Sequence, residues 1–167
     1  MGALEGALLS LHELRLLDLN GNRLTARGAT NLAEGLRLCS TLTTLALNFN
    51  FLGAEGAQSM TPVFSAQHAL TDLDLSFNDM GPAGVRALVQ GLAPEEEGDR
   101  IQLALVHLDL SKNTLGARGA AELFPLLRRC ATTVETVSLR CNGLGQQYAA
   151  MVNCQVPRAT VHVLEEY

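Results

Sequence analysis

The side chains best suited to chemistry lie in two similar stretches, LTDLDLSFN and LVHLDLSKN. The first carries Asp72 and Asp74, and the second carries His107 and Asp109. If the stretches form neighbouring strands, these side chains lie about 5 Å apart across the strands and about 6 to 7 Å apart along them. Carboxylates at that spacing could hold a hard cation. Repeated acidic positions are more often a solvated or partner-facing surface, so we predict no metal site and no cofactor.

A serine hydrolase that used Ser111 as nucleophile and His107 as base fails on geometry. Four residues along a strand span about 13 Å, whereas a nucleophile and its base must come within about 3 Å. The segment GLGQQY, which begins at Gly143, resembles a dinucleotide loop but lacks the third glycine. The sequence contains no P-loop, no CxxC and no HExxH motif. We therefore predict that the protein is not an enzyme.

Both stretches are copies of one pattern, L-x-x-L-x-L-x-x-N, which occurs five times. The first positions of the copies are 28, 28, 35 and 29 residues apart and fall at Leu14, Leu42, Leu70, Leu105 and Val134. Alternation with period two predicts short strands whose leucines face a core. Between copies, apolar residues recur at spacings of three and four, which predicts a helix. Because that helix carries the chain back each time, successive strands must be parallel.

Each asparagine is followed by a half-repeat rich in glycine, alanine and leucine, such as LTARGATNLAEGL or MGPAGVRALVQGL. Over about residues 1–156 the chain thus resembles leucine-rich repeat proteins of the ribonuclease-inhibitor-like subfamily. The resemblance implies an α/β leucine-rich-repeat solenoid of about five repeats, a curved right-handed βα superhelix with a parallel sheet on its concave face and helices on its convex face. The family includes ribonuclease inhibitors, innate-immune sensor modules, actin-capping tropomodulins, Ran GTPase-activating proteins and axonemal subunits. The fold alone therefore selects no function.

We expect a single domain over residues 1–167. Its predicted parts are a partial N-terminal repeat at 1–13, full repeats at 14–41, 42–69, 70–104, 105–133 and 134–160, and a candidate terminal strand at 161–167. The extra residues of the third repeat are assigned to PEEEGDR, Pro94 to Arg100, as an exposed loop. Near the end, Glu166 falls where a core leucine belongs, so we expect an edge strand that discourages further pairing.

The face of the sheet away from the helices is the candidate binding surface. Acidic residues recur between the second and third leucines, and phenylalanine precedes the asparagine in two neighbouring repeats. Apolar side chains on a face with no core beneath it suggest a contact surface. We predict a protein-binding site that consists of Asp18, Phe49, Asp72, Asp74, Phe77, His107, Asp109, Lys112 and Arg140.

The repeated asparagines are predicted to be structural. A buried turn leaves backbone N–H and C=O groups unpaired, and an amide side chain can satisfy them. We expect a stacked ladder that consists of Asn22, Asn50, Asn78, Asn113 and Asn142. The repeated glycines are expected to allow close approach of helix to sheet. They are Gly28, Gly56, Gly84 and Gly119.

Composition excludes several classes of protein. The chain has 17 acidic and 12 basic residues, a net charge of −5 and only 4% aromatic residues, so it lacks the basic, aromatic-rich stripe of a nucleic-acid-binding protein. No window approaches 18 uninterrupted apolar residues, so no membrane span is expected. The four cysteines fall at positions too far apart to pair. Free thiols favour an intracellular, cytoplasmic location, with cytoskeletal and ciliary sites as alternatives.

These observations predict a non-catalytic protein-interaction module or scaffold that binds a protein partner through its concave face. The main alternative is a structural subunit of a large assembly, such as a ciliary axoneme, held by its ends. A GTPase-activating regulator is less favoured because Ran GTPase-activating proteins carry a longer array and a strongly acidic tail. Neither nucleic acid nor a membrane is an expected partner.

Overall fold

A computed structural model describes residues 13–93 and 103–163. Three predicted features fall outside these ranges: nearly all of the partial repeat at 1–13, the loop from Pro94 to Arg100, and Glu166 with the rest of the chain end.

Six three-residue strands form one parallel sheet in chain order. They are β1 (Leu16–Asp18), β2 (Thr44–Ala46), β3 (Asp72–Asp74), β4 (His107–Asp109), β5 (Thr136–Ser138) and β6 (Thr160–His162). The register pairs matching positions of successive repeats, for example Leu17 with Leu45 and Leu45 with Leu73. Equivalent residues of successive repeats therefore stand side by side in columns across the sheet.

Helices connect the successive strands. They are α1 (Ala26–Leu36), α2 (Gly53–Ser59), α3 (Thr61–Ala66), α4 (Gly81–Leu92), α5 (Gly116–Glu122), α6 (Phe124–Arg129) and α7 (Gln146–Gln155). Their apolar faces and the strand leucines form one continuous core, in which Leu45, Leu88 and Leu127 are fully buried. The predicted α/β solenoid is confirmed. None of the helices in the described ranges is long and apolar enough to cross a membrane.

The second and fourth repeats each contain two short helices in place of the single predicted helix. Pro62 lies in the first turn of α3, and Pro125 lies in the first turn of α6. A proline has no N–H to donate, and its ring collides with the carbonyl four residues earlier. It is tolerated in a first turn, where the N–H would have no partner in the helix. The helix therefore ends and restarts at each proline.

The repeated glycines bring neighbouring helices together, whereas the sequence predicted contact between helix and sheet. A Cβ atom added to Gly84 would lie 3.3 Å from Ala57 Cβ and 3.4 Å from Ala54 Cα, both on α2. Gly91, near the end of α4, is more confined, since an added Cβ would lie 2.9 Å from the carbonyl oxygen of Thr61 on α3. Glycine is needed here because two helix backbones pack within contact distance of each other.

The last repeat is shorter than the others. Register partners Leu16 and Thr44 are 28 residues apart, whereas Thr136 and Thr160 are 24 apart. Val161 therefore pairs with Val137 and packs against the core, and Val163 is buried. The predicted register, which put Glu166 at a core position, is wrong because α7 and its connection to β6 use fewer residues than the earlier repeats.

The cysteines differ in their surroundings. Cys39 and Cys130 are free and buried, whereas Cys154 is free and exposed. Burial raises the pKa of the Cys130 thiol to about 11, because an apolar environment disfavours the thiolate. This thiol therefore stays protonated and unreactive at neutral pH.

Candidate functional site

The exposed face of the sheet forms a groove of about 680 Å³. Seven of the nine predicted site residues line it: Asp72, Asp74, Phe77, His107, Asp109, Lys112 and Arg140. The other two, Asp18 on β1 and Phe49 after β2, lie outside its lining.

The groove also contains side chains that the predicted site lacked. They are Ser76, Ser111, Ser138 and His162. The serines occupy repeat positions that point to the same face as the predicted aspartates, so their spacing could have identified them. His162 was missed because it lies on β6, whose register was predicted incorrectly. Its Nδ1 lies 3.3 Å from Nη2 of Arg140, which brings the sixth strand into the groove.

The residue before each ladder asparagine belongs to one column across the sheet, which we call the aromatic column. Its members are Gly21, Phe49, Phe77, Lys112 and Cys141. The rings of Phe49 and Phe77 are stacked, with centroids 3.9 Å apart and an angle of 17° between the ring planes. Lys112 Nζ lies 4.5 Å from the centroid of the Phe77 ring, which is within cation–π range. Three neighbouring repeats thus build one continuous exposed stack.

The backbone of the aromatic column is left-handed. The φ angles are 51° at Phe49, 56° at Phe77 and 53° at Lys112. Bulky side chains rarely adopt this conformation, and each costs of order 1 to 3 kcal/mol. Glycine avoids this cost, and Gly21 occupies the equivalent position with φ 68°. The large side chains are therefore present at a cost in stability that a glycine would remove.

Three predicted site aspartates have a local role that the sequence analysis did not foresee. Oδ1 of each accepts the backbone N–H two residues later, at 2.8 to 3.0 Å: Asp18 from Asn20, Asp74 from Ser76 and Asp109 from Ser111. Such bonds hold the chain as it leaves the strand. Asp74 also accepts the Ser76 hydroxyl at 2.8 Å and the amide of Asn48 at 2.6 Å. Its carboxylate is thus more occupied by the fold than that of Asp18 or Asp109.

His107 and Ser111 have different partners. Nδ1 of His107 lies 2.7 Å from the Thr136 hydroxyl, and its Nε2 lies 3.9 Å from Oδ1 of Asp72. The Ser111 hydroxyl bonds to that of Ser138 at 2.7 Å. The nucleophile–base contact of a hydrolase is therefore absent from this pair. The described residues hold no group of three or more His, Cys, Asp or Glu side chains that could bind a metal ion.

On the core side of the sheet, asparagine side chains link successive repeats. Asn113 is fully buried, and its Nδ2 donates to the carbonyl of Leu110 in its own repeat and of Leu75 in the repeat before. Its Oδ1 accepts the N–H groups of Asn78 and Met80 at 3.3 and 3.2 Å. The asparagines that donate in this way to the preceding repeat are Asn50, Asn78, Asn113 and Asn142.

Asn22 behaves differently from the other ladder asparagines. It is exposed, and its amide donates to the carbonyl of Asn20 within its own repeat. The side-chain oxygen of Asn50 instead accepts the N–H of Leu24, two residues after Asn22, at 2.8 Å. Each asparagine therefore completes the turn of the repeat before it, and Asn22 precedes the first described turn.

A parallel sheet backed by helices, with an asparagine in each inter-repeat turn, defines an α/β repeat protein. The Leucine Rich repeat family matches residues 10–33, 38–60, 67–89 and 105–124, more than half of the chain. The chain belongs to the leucine-rich repeat family. No curated protein matches it.

The fold is similar to that of a solved structure described as Leiomodin-1 Actin-Binding Site 2 (ABS2). The TM-score is 0.69 at 17% sequence identity, and the match covers 93% of this chain and 86% of the other. At this identity the likeness shows a shared fold.

Proposed function

We propose that the chain is a non-catalytic protein-interaction module that binds a protein partner through the concave face of its sheet. The proposed site consists of Asp18, Phe49, Asp72, Asp74, Phe77, His107, Asp109, Lys112 and Arg140. The observation that carries the proposal is the exposed stack of Phe49, Phe77 and Lys112 on a left-handed backbone.

The stack offers energy for binding that the isolated chain does not use. Phe49 is 57% exposed, and full burial of such a ring contributes about 1.5 to 3 kcal/mol. Aromatic and basic side chains at the centre of an interface commonly dominate its affinity. A surface that tolerates strained backbone to display two phenylalanines and a lysine has the composition of such a centre.

The charges of the groove suggest the chemistry of the partner. Asp72 and Asp109 belong to the two central strands, and Asp18 lies on β1 beyond the groove. A complementary partner would present basic groups to these carboxylates and apolar groups to the stack, since complementary potentials orient the encounter. Lys112 and Arg140 would accept an acidic group at the opposite side.

The proposal is tested by replacing both rings and recovering the bound partner. We expect Phe49→Ala with Phe77→Ala to reduce recovery of cross-linked partner from native extract at least about tenfold, since two buried rings exceed 1.4 kcal/mol. Leu38→Ala is the matched control, because Leu38 is 58% exposed and follows α1, away from the groove. Quantitative cross-linking mass spectrometry with the full chain as bait gives the measurement.

Melting curves of both variants establish that each remains folded. If the double variant recovers the same partner as the wild-type chain while its melting curve is that of a folded protein, the concave-face proposal is wrong.

The finer classification is also a proposal. We infer that the repeats are of the ribonuclease-inhibitor-like type, which is supported by the 28-residue spacing of the first three strands and by a helix in each repeat. An intracellular location is supported by the free, buried thiols of Cys39 and Cys130. Actin is a first partner to assay, because the structurally similar leiomodin domain is described as an actin-binding site. Co-sedimentation with filaments tests it.

A further inference from the structure

We propose that the first position of the aromatic column, above Gly21, is a binding slot for an arginine side chain of the protein partner. The proposal rests on the function proposed above and names the group that the concave face recognises at its N-terminal side.

The backbone places the members of the column in register. Each N–H bonds to the carbonyl of the next repeat in the same way, at 2.8 to 3.1 Å: Gly21 to Asn48, Phe49 to Ser76, Phe77 to Ser111 and Lys112 to Arg140. Phe77 covers one face of the Phe49 ring. The opposite face therefore points towards the first repeat, where the equivalent residue is Gly21.

The space above Gly21 is open. A Cβ atom built on Gly21 would meet no heavy atom within 4 Å, and Gly21 and Phe49 are both exposed. Neighbouring strands lie about 4.8 Å apart, and the stacked rings are separated by 3.9 Å. One more planar group of the same thickness therefore fits over Phe49 and continues the stack by one repeat.

The far end of the stack indicates what kind of group belongs there. Lys112 places a cation over the outer face of Phe77, because the face of an aromatic ring carries negative potential. The outer face of Phe49 presents the same potential. A guanidinium is both planar and cationic, and it prefers a carboxylate that accepts two hydrogen bonds. Asp18 supplies that carboxylate at the end of β1, three residues before Gly21.

The chain's own nearest arginine leaves this ring face uncovered. Arg23 follows Gly21 by two residues and is exposed, and the cation–π contact found within the described ranges is that of Lys112 with Phe77. The arginine must therefore come from the partner.

The test fills the slot with a ring from the chain itself. Gly21→Phe extends the stack and blocks the slot, and it is compatible with the fold because phenylalanine already adopts φ 51° and 56° at the next two positions. Cys141→Phe is the matched control, since it places the same ring at the equivalent position beyond Lys112, also at a positive φ of 55°. The probe is a library of random linear peptides displayed on phage and selected against the full wild-type chain.

We expect the selected peptides to require one arginine, with binding at least about tenfold weaker when citrulline, its neutral isostere, replaces it. We expect Gly21→Phe to lose binding by a similar factor and Cys141→Phe to retain it. Selected peptides that bind Gly21→Phe as well as wild type, or that tolerate citrulline, overturn the slot while leaving the concave-face function intact. Peptides that need an aromatic residue in place of arginine overturn the assignment to arginine. Peptides that bind Phe49→Ala with Phe77→Ala as well as wild type overturn both proposals.

Discussion

The asparagine ladder and the aromatic column lie one residue apart in sequence and on opposite sides of the sheet. Asn78 is fully buried and directly follows Phe77, which faces the groove. Every repeat uses the same residue in the ladder, whereas the column runs glycine, phenylalanine, phenylalanine, lysine, cysteine. The inward position must satisfy the same backbone groups each time, and only an amide at that place does so. The outward position has no such requirement and can differ between repeats.

The two positions also act oppositely on stability. A ladder side chain such as Asn113 pairs buried N–H and C=O groups that would otherwise be unsatisfied. A column side chain such as Phe77 holds its own backbone in a conformation that favours glycine. Stability is therefore determined on the inner side, and the outer side carries a cost that fits a role in recognition.

The largest expected effect follows from removing a ladder amide. We expect Asn113→Ala to lower the free energy of unfolding by about 3 kcal/mol or more, since it leaves several buried backbone groups without partners. Asn22→Ala, at the exposed first position, should lower it by about 0.5 kcal/mol or less. Urea unfolding followed by circular dichroism compares the two. Equal losses would mean that the ladder bonds contribute no net stability.

A smaller effect, of unusual sign, is expected in the column. Lys112→Gly should be more stable than Lys112→Ala by about 1 kcal/mol, because both lose the cation but only glycine relaxes at φ 53°. At an ordinary exposed position alanine would be equal or better. Thermal melts of the two variants give the difference. If the alanine variant is the more stable of the pair, the left-handed backbone is not a source of strain.

The smallest effect concerns an exposed bond between repeats on the helix side. Arg86 on α4 pairs with Glu122 on α5, and the hydrogen bond from Arg86 lowers the pKa of the Glu122 carboxyl. A lowered folded-state pKa gives stability that is present above the unfolded pKa, about 4.3, and is lost as pH falls through the folded value. The unfolding midpoint of wild type should thus fall slightly more between pH 6 and pH 3 than that of Glu122→Gln.

Both side chains of this pair are partly exposed, so solvent limits its contribution well below that of a ladder asparagine. Denaturant titrations at each pH provide the measurement. A loss in Glu122→Gln as large as that in wild type would assign the acid sensitivity to other carboxylates.

The sequence predicted the parts of the fold that depend on period. Leu45 and Leu73 face the core in register because alternation allows one arrangement, and the spacing of the repeats predicted a parallel sheet. Features that depend on distances between elements were not predictable in this way. Gly84 is required by a neighbouring helix, and the register of Val161 depends on how few residues complete the last repeat.

The candidate site was predicted in position but not in detail. Period two placed Phe49 and Phe77 on the open face, yet their stacking and left-handed backbone depend on the turn that follows each strand. The same turn explains Asp74, whose alternation pointed to the groove but whose carboxylate is largely held by Ser76 and Asn48. Breaks in the helices could have been predicted, because Pro62 and Pro125 are visible in the sequence.

The exact register of the first three strands makes each repeat an exchangeable cassette. Excising the 28 residues 45–72 would join Thr44 to Leu73 and leave Asn78 in the place of Asn50, where it meets equivalent backbone groups. The outer face would then read Gly21, Phe77, Lys112, with one ring fewer. Duplication or loss of whole repeats can therefore rewrite the order of groups shown to a partner while the inner bonds are preserved, so new recognition can arise by recombination before any point substitution.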